Sequence, residues 1–251
     1  FGHKHLFQKI NAKHSLSTEE QVAWKRVIDR FRCCCQTALQ HGVALLVDAE
    51  EYSMQIATDQ VVMDLMREFN MSKAVVYNTV QLYLVDGNRR LKRMHNIATK
   101  EGFYLGLKLV RGAYMEKERK IAQRQGLASP ICITKVETDM NFNVGVAYCL
   151  KHLVNIAVVL GSHNEESVIQ AINMMDQHEI KPNDNRVWFS QLLGMSDYIS
   201  FVLSDEGYNV VKFVPFGPMN KLIPYLARRA EENTAIAGQT SKELTRLRSE
   251  L

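Results

Sequence analysis

No apolar run in this chain approaches the roughly 20 residues needed to cross a bilayer, so a membrane-spanning helix is not expected. No Lys/Arg-rich block appears, and no basic stretch is interleaved with aromatics. With a formal net charge of only +4, nucleic acid is not an expected partner. Five cysteines, three of them consecutive (Cys33, Cys34, Cys35), match neither a disulfide framework nor a zinc-site spacing. They read as small apolar helix residues of a reducing compartment, with a reactive thiol as the alternative. No strand is followed by G-x-G-x-x-G, which argues against a dinucleotide-binding doubly wound sheet. No second histidine stands at helical spacing from His163 and no cysteine pair supports one there, so no metal site is expected. The chain opens at Phe1 without an initiator Met or a targeting segment. A processed or trimmed chain is therefore expected, and its destination stays open.

What is present is ordinary globular material: 251 residues, 46% hydrophobic and 23% charged. That length suits one large domain or two small ones, and α/β barrels fill it as a single unit. We read 1–251 as one domain, with 1–16 a loop, short helix or trimmed linker and 239–251 a charged helical tail. Ser17-Thr18-Glu19-Glu20 forms the pattern of a capping box, opening an amphipathic helix that Gly42 ends. Six apolar segments follow, at 43–47, 74–81, 104–110, 156–160, 187–193 and 210–215, with helical pattern after each. Asp86 stands where it can cap the helix running to about residue 101, and helical pattern broken around Gly126 and Pro130 resumes over 138–152.

These strand segments are continuous rather than alternating, which implies parallel strands covered by helices on both sides. Polar residues recur at their ends: Asp48, Gln81, Lys108 with Arg111, Ser162-His163-Asn164, Gln191 and Lys212. Chemistry converging from every strand end is the habit of a barrel mouth, whereas an open sheet concentrates it at one switch point. The expected fold is therefore α/β, a distorted (β/α)8 TIM-type barrel. Six strands are two short of closure, and an isolated six-strand arc would expose two open edges.

The segment Tyr104-Leu105-Gly106-Leu107-Lys108-Leu109-Val110-Arg111-Gly112-Ala113-Tyr114 carries two cations at the end of a buried strand. A buried cation is costly unless an anion or strong acceptors meet it, so these point to an anionic or electron-rich ligand, or to ion pairs with neighbouring strands. Asp48 suits a helix cap or ion-pair partner as well as a catalytic acid. Gly161-Ser162-His163-Asn164 leads into a helix start that would suit phosphate. On the last helix, Arg228 and Arg229 stand four and three residues before Glu232, a spacing at which a carboxylate braces guanidinium groups. Such a pair is either a solvated charged face or a fork for a substrate carboxylate.

Taken in order, Asp48-Ala49-Glu50-Glu51, Lys108-Leu109-Val110-Arg111-Gly112-Ala113-Tyr114, Ser162-His163-Asn164, Gln191-Leu192-Leu193-Gly194-Met195 and Tyr225-Leu226-Ala227-Arg228-Arg229-Ala230-Glu231-Glu232-Asn233 resemble the proline dehydrogenase family. The likeness runs from about residue 40 to the end and is nearest to the eukaryotic, mitochondrial branch. It implies a flavoenzyme on a distorted barrel, with FAD at the carboxyl ends of the strands. It also implies oxidation of L-proline to Δ1-pyrroline-5-carboxylate by hydride transfer to flavin N5, electrons passing to a membrane quinone. Localisation on the matrix side of the mitochondrial inner membrane and peripheral membrane contact are implied as well. The resemblance leaves oligomeric state open, and the tail from Ser241 reads as either a solvent-facing or a bilayer-docking helix.

Carried over by resemblance, Lys108 takes the place of the basic residue near flavin N5, where an Arg is common in bacterial members. Val110, Arg111, Gly112 and Ala113 would follow the flavin and its phosphates, and Gln81 would meet the isoalloxazine edge. Ser162, His163 and Asn164 match the family's Thr-His-Asn at the cofactor. Arg228 and Arg229 match the pair that binds the proline carboxylate, with Glu232 as brace. Tyr114, Leu192 and Tyr225 match walls around the pyrrolidine ring, and Asp48 the aspartate that organises the pocket. The family's first two strands, one carrying a further lysine, have no counterpart here. Phe213 stands where proline-specific relatives have Tyr and hydroxyproline-oxidising relatives a smaller residue, which favours proline over hydroxyproline. Val80 replaces an aromatic before Gln81. The rival readings are hydroxyproline dehydrogenase, a pyridoxal-phosphate barrel with Lys108 as Schiff-base lysine, and a catalytically incomplete barrel acting as an interaction partner.

Overall fold

A computed structural model describes residues 3–220 and 222–227. The first described element is α1 (Lys4–Asn11), so of the readings given to 1–16 the short helix is the one found. Leu6 is fully buried, Phe7 packs edge-on against Trp24 at 4.8 Å, and Lys4 pairs with Glu51 at 2.5 Å. These contacts order a segment whose sequence is weakly patterned and polar. The helix α2 (Thr18–Gln40) opens on the anticipated capping box: the Glu20 amide donates to Ser17 Oγ at 3.3 Å, and the Ser17 amide to Glu20 Oε2 at 3.0 Å. All three consecutive cysteines lie within α2, Cys35 buried and Cys33 and Cys34 exposed. Burial pushes the Cys35 thiol up to about 11.

Six strands follow, β1 (Leu45–Val47), β2 (Val76–Gln81), β3 (Leu105–Val110), β4 (Ile156–Gly161), β5 (Val187–Leu192) and β6 (Val210–Phe213). All pair in parallel, in sequence order, in one curled half-barrel. Between them lie α3 (Tyr52–Phe69), α4 (Gly87–Glu101), α5 (Met115–Arg124), α6 (Lys135–Lys151), α7 (Glu165–Gln177) and α8 (Asp197–Asp205), and helical residues return at 222–227. Asp86 precedes α4 without a capping bond from its side chain and instead pairs with Arg89 at 3.5 Å. Thr134 caps α6 by accepting from the Glu137 amide at 3.1 Å, three residues earlier than the sequence suggests.

Side chains alternate across each strand, and the two faces differ. Leu105, Leu107, Leu109, Val158, Leu160 and Phe189 face the helices and join Met66, Leu91 and Phe142 in the main core. Burying each such side chain contributes roughly 1.5–3 kcal/mol, so this face holds the sheet together. The concave face carries a smaller cluster of Tyr77, Ala157 and Val159, with Leu46 and Trp188 against it. A Cβ at Gly106 would sit 2.4 Å from the Val76 carbonyl oxygen, so the close approach of β2 and β3 admits only glycine there. The start of β2 is fixed by buried Asn70, whose Oδ1 accepts from the Val75 and Val76 amides at 3.0 and 2.9 Å.

Among the described residues, no helix is long and apolar enough to cross a membrane.

Candidate active site

Lys108 follows Gly106 on the concave face, opposite Thr79 on one side and Val159 on the other. Its ammonium meets Asp48 Oδ1 at 2.6 Å, and Thr79 Oγ1 donates to the same oxygen at 3.4 Å. The Lys108 side chain is only 14% exposed and Asp48 is 49% exposed, so the pair has a buried cationic half and an open anionic half. The ammonium also lies 5.8 Å from the centre of the Phe213 ring. Phe213 pairs with Leu192 across β5 and β6, and its ring stands 5.8 Å from that of Tyr225. Lys108, Asp48, Phe213, Leu192 and Tyr225 thus meet over one end of the half-barrel.

Gln81 ends β2 on the same face and is 3% exposed. Its amide nitrogen donates to the Glu50 carbonyl oxygen at 3.1 Å, while Oε1 is buried with no partner. The Tyr114 hydroxyl donates to Glu50 Oε2. Gly112 has φ +141°, and a Cβ there would lie 2.5 Å from the Tyr83 ring, so both backbone and space require glycine at the end of β3. Val110 faces the concavity beside Gln81, and a Cβ at Gly161 would sit 3.0 Å from its Cγ1.

Arg111 shares its side of the strand with Leu105, Leu107 and Leu109. Its Nε donates to Asp139 Oδ1 at 2.6 Å, Nη1 to Ser162 Oγ at 2.9 Å and Nη2 to Ser167 Oγ at 2.9 Å. The guanidinium lies 4.5 Å from the centre of the Phe142 ring. Burial raises the Asp139 carboxyl, but bonds and charge from Lys135 and Arg111 outweigh that and hold it below the usual carboxylate range. Ser162 Oγ also accepts from the Asn164 amide at 3.1 Å, and Asn164 Oδ1 caps α7 by accepting from the Ser167 amide at 2.9 Å. His163 Nδ1 lies 3.2 Å from Ser196 Oγ.

Like Arg111, two further strand-end groups expected at the mouth lie on the helix side instead. Gln191 is buried, donating to the Ser162 carbonyl at 3.2 Å and accepting from Ser200 Oγ at 2.9 Å. Lys212 pairs with Asp197 at 2.5 Å and donates to the Met195 carbonyl at 3.0 Å. An odd step along each strand puts them opposite the concave residues. Arg228, Arg229, Glu232 and the tail over 239–251 lie outside the described residues.

The family model described as proline dehydrogenase matches residues 3–242. The chain belongs to the proline dehydrogenase family. It is 39% identical over 228 residues to the human "Proline dehydrogenase 1, mitochondrial", covering 90% of this chain and 38% of that protein. It is 36% identical to a Xenopus laevis "Hydroxyproline dehydrogenase", covering 97% of this chain and 53% of the relative. Among solved structures, proline utilization A from Bdellovibrio bacteriovorus inactivated by N-propargylglycine superposes with a TM-score of 0.78 at 29% identity, covering 84% of this chain and 22% of that one. The chain therefore spans well under two thirds of these relatives' length.

Against the family's motifs, the residue that sequence reading left without a role is Glu50. It sits in the quoted Asp48-Ala49-Glu50-Glu51 run, but its two site contacts come from Gln81 and Tyr114, 31 and 64 residues away. No local pattern signals them.

Proposed function

We propose that this chain forms a catalytic half-barrel of a proline dehydrogenase, which oxidises L-proline to Δ1-pyrroline-5-carboxylate with FAD. The observation that carries the reading is the Lys108–Asp48 pair, set beside a buried acceptor, Gln81 Oε1, that no group among the described residues satisfies. An unpaired buried acceptor costs about 1–3 kcal/mol and calls for an N–H from a ligand. The edge of an isoalloxazine offers one. The residues present therefore suit the cofactor.

Bound FAD supplies the hydride-accepting ring that the protein's own side chains lack. In this reading Gln81, Val110, Gly112 and Ala113 line the isoalloxazine and its chain, and Ser162, His163 and Asn164 meet the phosphate side. Arg111 acts on that side by bracing Ser162. Lys108 provides positive charge where negative charge develops, and Asp48 holds it in place. Arg228 and Arg229 grip the substrate carboxylate with Glu232 behind them, while Tyr114, Leu192, Phe213 and Tyr225 enclose the ring. A quinone acceptor, peripheral membrane contact and a mitochondrial location on the matrix side of the inner membrane complete the proposal. The names of the relatives support the mitochondrial part.

The absorption spectrum of the purified protein and proline-dependent dye reduction test it. A two-banded flavin spectrum bleached by proline is the expected result. A flavin-free or pyridoxal-like spectrum, with no proline-dependent reduction, overturns it. Within the active protein, Arg228→Ala or Arg229→Ala should cost roughly 2–5 kcal/mol in proline affinity, because the partner charge loses its mate. Unchanged affinity in both variants would remove the clamp assignment.

A further inference from the structure

We propose that Glu50 is a positioning residue that holds two walls of the pocket together, the Tyr114 hydroxyl through its carboxylate and the Gln81 amide through its main-chain carbonyl. The inference rests on the proline-oxidising reading above and deepens it.

The segment between β1 and α3 ties a different element at nearly every residue. Asp48 takes Lys108 of β3 and Thr79 of β2. Glu51, its side chain 14% exposed, lies between Lys4 of α1 at 2.5 Å and Lys117 of α5 at 2.8 Å. The Tyr52 amide donates to Glu118 Oε1 at 2.9 Å, and Glu118 is buried. Glu50 is therefore anchored on both sides along the chain. Its carbonyl oxygen can only accept, so the Gln81 NH2 group must face it, and the Gln81 oxygen must face away. That is why Oε1 stands as a bare acceptor. The carboxylate of Glu50 likewise only accepts, so the Tyr114 hydroxyl hydrogen is committed to it. One residue thus sets the orientation of a cofactor-facing amide and of a substrate-facing ring.

The two arms separate experimentally, because only the carboxylate can be mutated away. In the FAD-loaded full chain, Glu50→Ala should release Tyr114 while leaving bound flavin and its visible spectrum unchanged. The KM for proline should rise about tenfold, the equivalent of one lost hydrogen bond to a charged group, with kcat within about twofold. Glu50→Gln keeps an acceptor oxygen and should restore most of the loss. Binding of cyclopentanecarboxylate, a ring acid with no nitrogen to oxidise, is read from the flavin absorbance without turnover and should weaken by the same factor. In a Tyr114→Phe background the cost of Glu50→Ala should vanish. Should Glu50→Ala fold poorly, Glu50→Gln and Tyr114→Phe carry the comparison by the same binding readout. Wild-type binding with Glu50→Ala unchanged, or a cost undiminished in Tyr114→Phe, overturns the role of Glu50 alone. A wild-type chain that binds neither proline nor the ring acid sinks the parent reading and this one with it.

Discussion

Lys108 is the residue whose environment leaves least freedom. Its stem runs along the concave face, its ammonium is matched by Asp48 at 2.6 Å, and Phe213 covers it from one side. Removing the charge leaves Asp48 without its cation and, in the proposed function, the reduced flavin without a counter-charge. Lys108→Met should lower kcat roughly 100-fold, the usual cost of one electrostatic stabiliser, whereas Lys108→Arg should stay within about tenfold. Anaerobic stopped-flow reduction by proline checks the rate. The flavin potential offers an independent check, since it should fall in Lys108→Met and hold in Lys108→Arg. Phe213 governs a different property. Its ring stands 5.8 Å from that of Tyr225, and in the proposed function this bulk fills the space that a hydroxyl on the substrate ring would need. Proline should be preferred by the wild type, and Phe213→Ser should raise hydroxyproline turnover relative to proline about tenfold, as expected for a pocket enlarged by a side chain. Paired kcat/KM measurements decide it, and a wild type that prefers hydroxyproline reverses the assignment.

Among elements, the joint between α4 and α6 shows most clearly how far sequence reading reached. The existence of both helices was legible from their periodicity, but their fastening was not. His95 of α4 lies 2.8 Å from the Tyr148 hydroxyl of α6 through Nδ1 and 2.8 Å from Asn155 Oδ1 through Nε2. Asn155 Oδ1 accepts, so the neutral ring donates from Nε2 and takes the Tyr148 hydrogen at Nδ1. Burial lowers the affinity of His95 for a second proton, the Asn155 bond partly restores it, and nearby His152 lowers it again, for a net shift below its ordinary value of 6.5. The unfolded chain therefore takes up that proton first, and stability is lost as pH falls from the ordinary value toward the folded one. His95→Gln, which keeps a donor and an acceptor but does not titrate, should flatten the pH dependence of the thermal midpoint below about pH 6.5. An unchanged slope would show that the joint does not respond to this histidine. Strand facing was hidden for a related reason. Segments covered on both sides are apolar throughout, so nothing in 187–193 or 210–215 told Gln191 and Lys212 to turn toward the helices. Strand starts were missed by two residues where hydrogen bonds to groups just before the strand decide them. Asn70 sets the start of β2, and Val43 closes on the Ala38 carbonyl at 3.0 Å before β1 begins.

On the scale of the whole molecule, the half-barrel is held by an apolar core on the helix side and by ion pairs at its periphery. The two are expected to fail under different conditions. The peripheral pairs add ties outside the main core: Glu51 ties α1 and α5 to the entrance of α3, and Asp139 ties α6 to the end of β3. Burial raises the Glu51 carboxyl, but hydrogen bonds and charge from Lys117 and Lys4 more than reverse this and leave it below the usual carboxylate range. Asp139 behaves alike, with Lys135 and Arg111 as the reversing cations. For both groups the folded state binds its proton more weakly than the unfolded chain. Their contribution is therefore complete above the ordinary carboxylate range and drains away as pH falls through the depressed values, below about pH 4. The sheet core carries no such dependence. Amide exchange should thus accelerate in α1 on acidification before it does in β3 and β4, and Glu51→Gln should show the fast α1 exchange already at neutral pH. If acid instead loosens α1 and the sheet together in both proteins, the pairs are not what keeps α1 on the half-barrel.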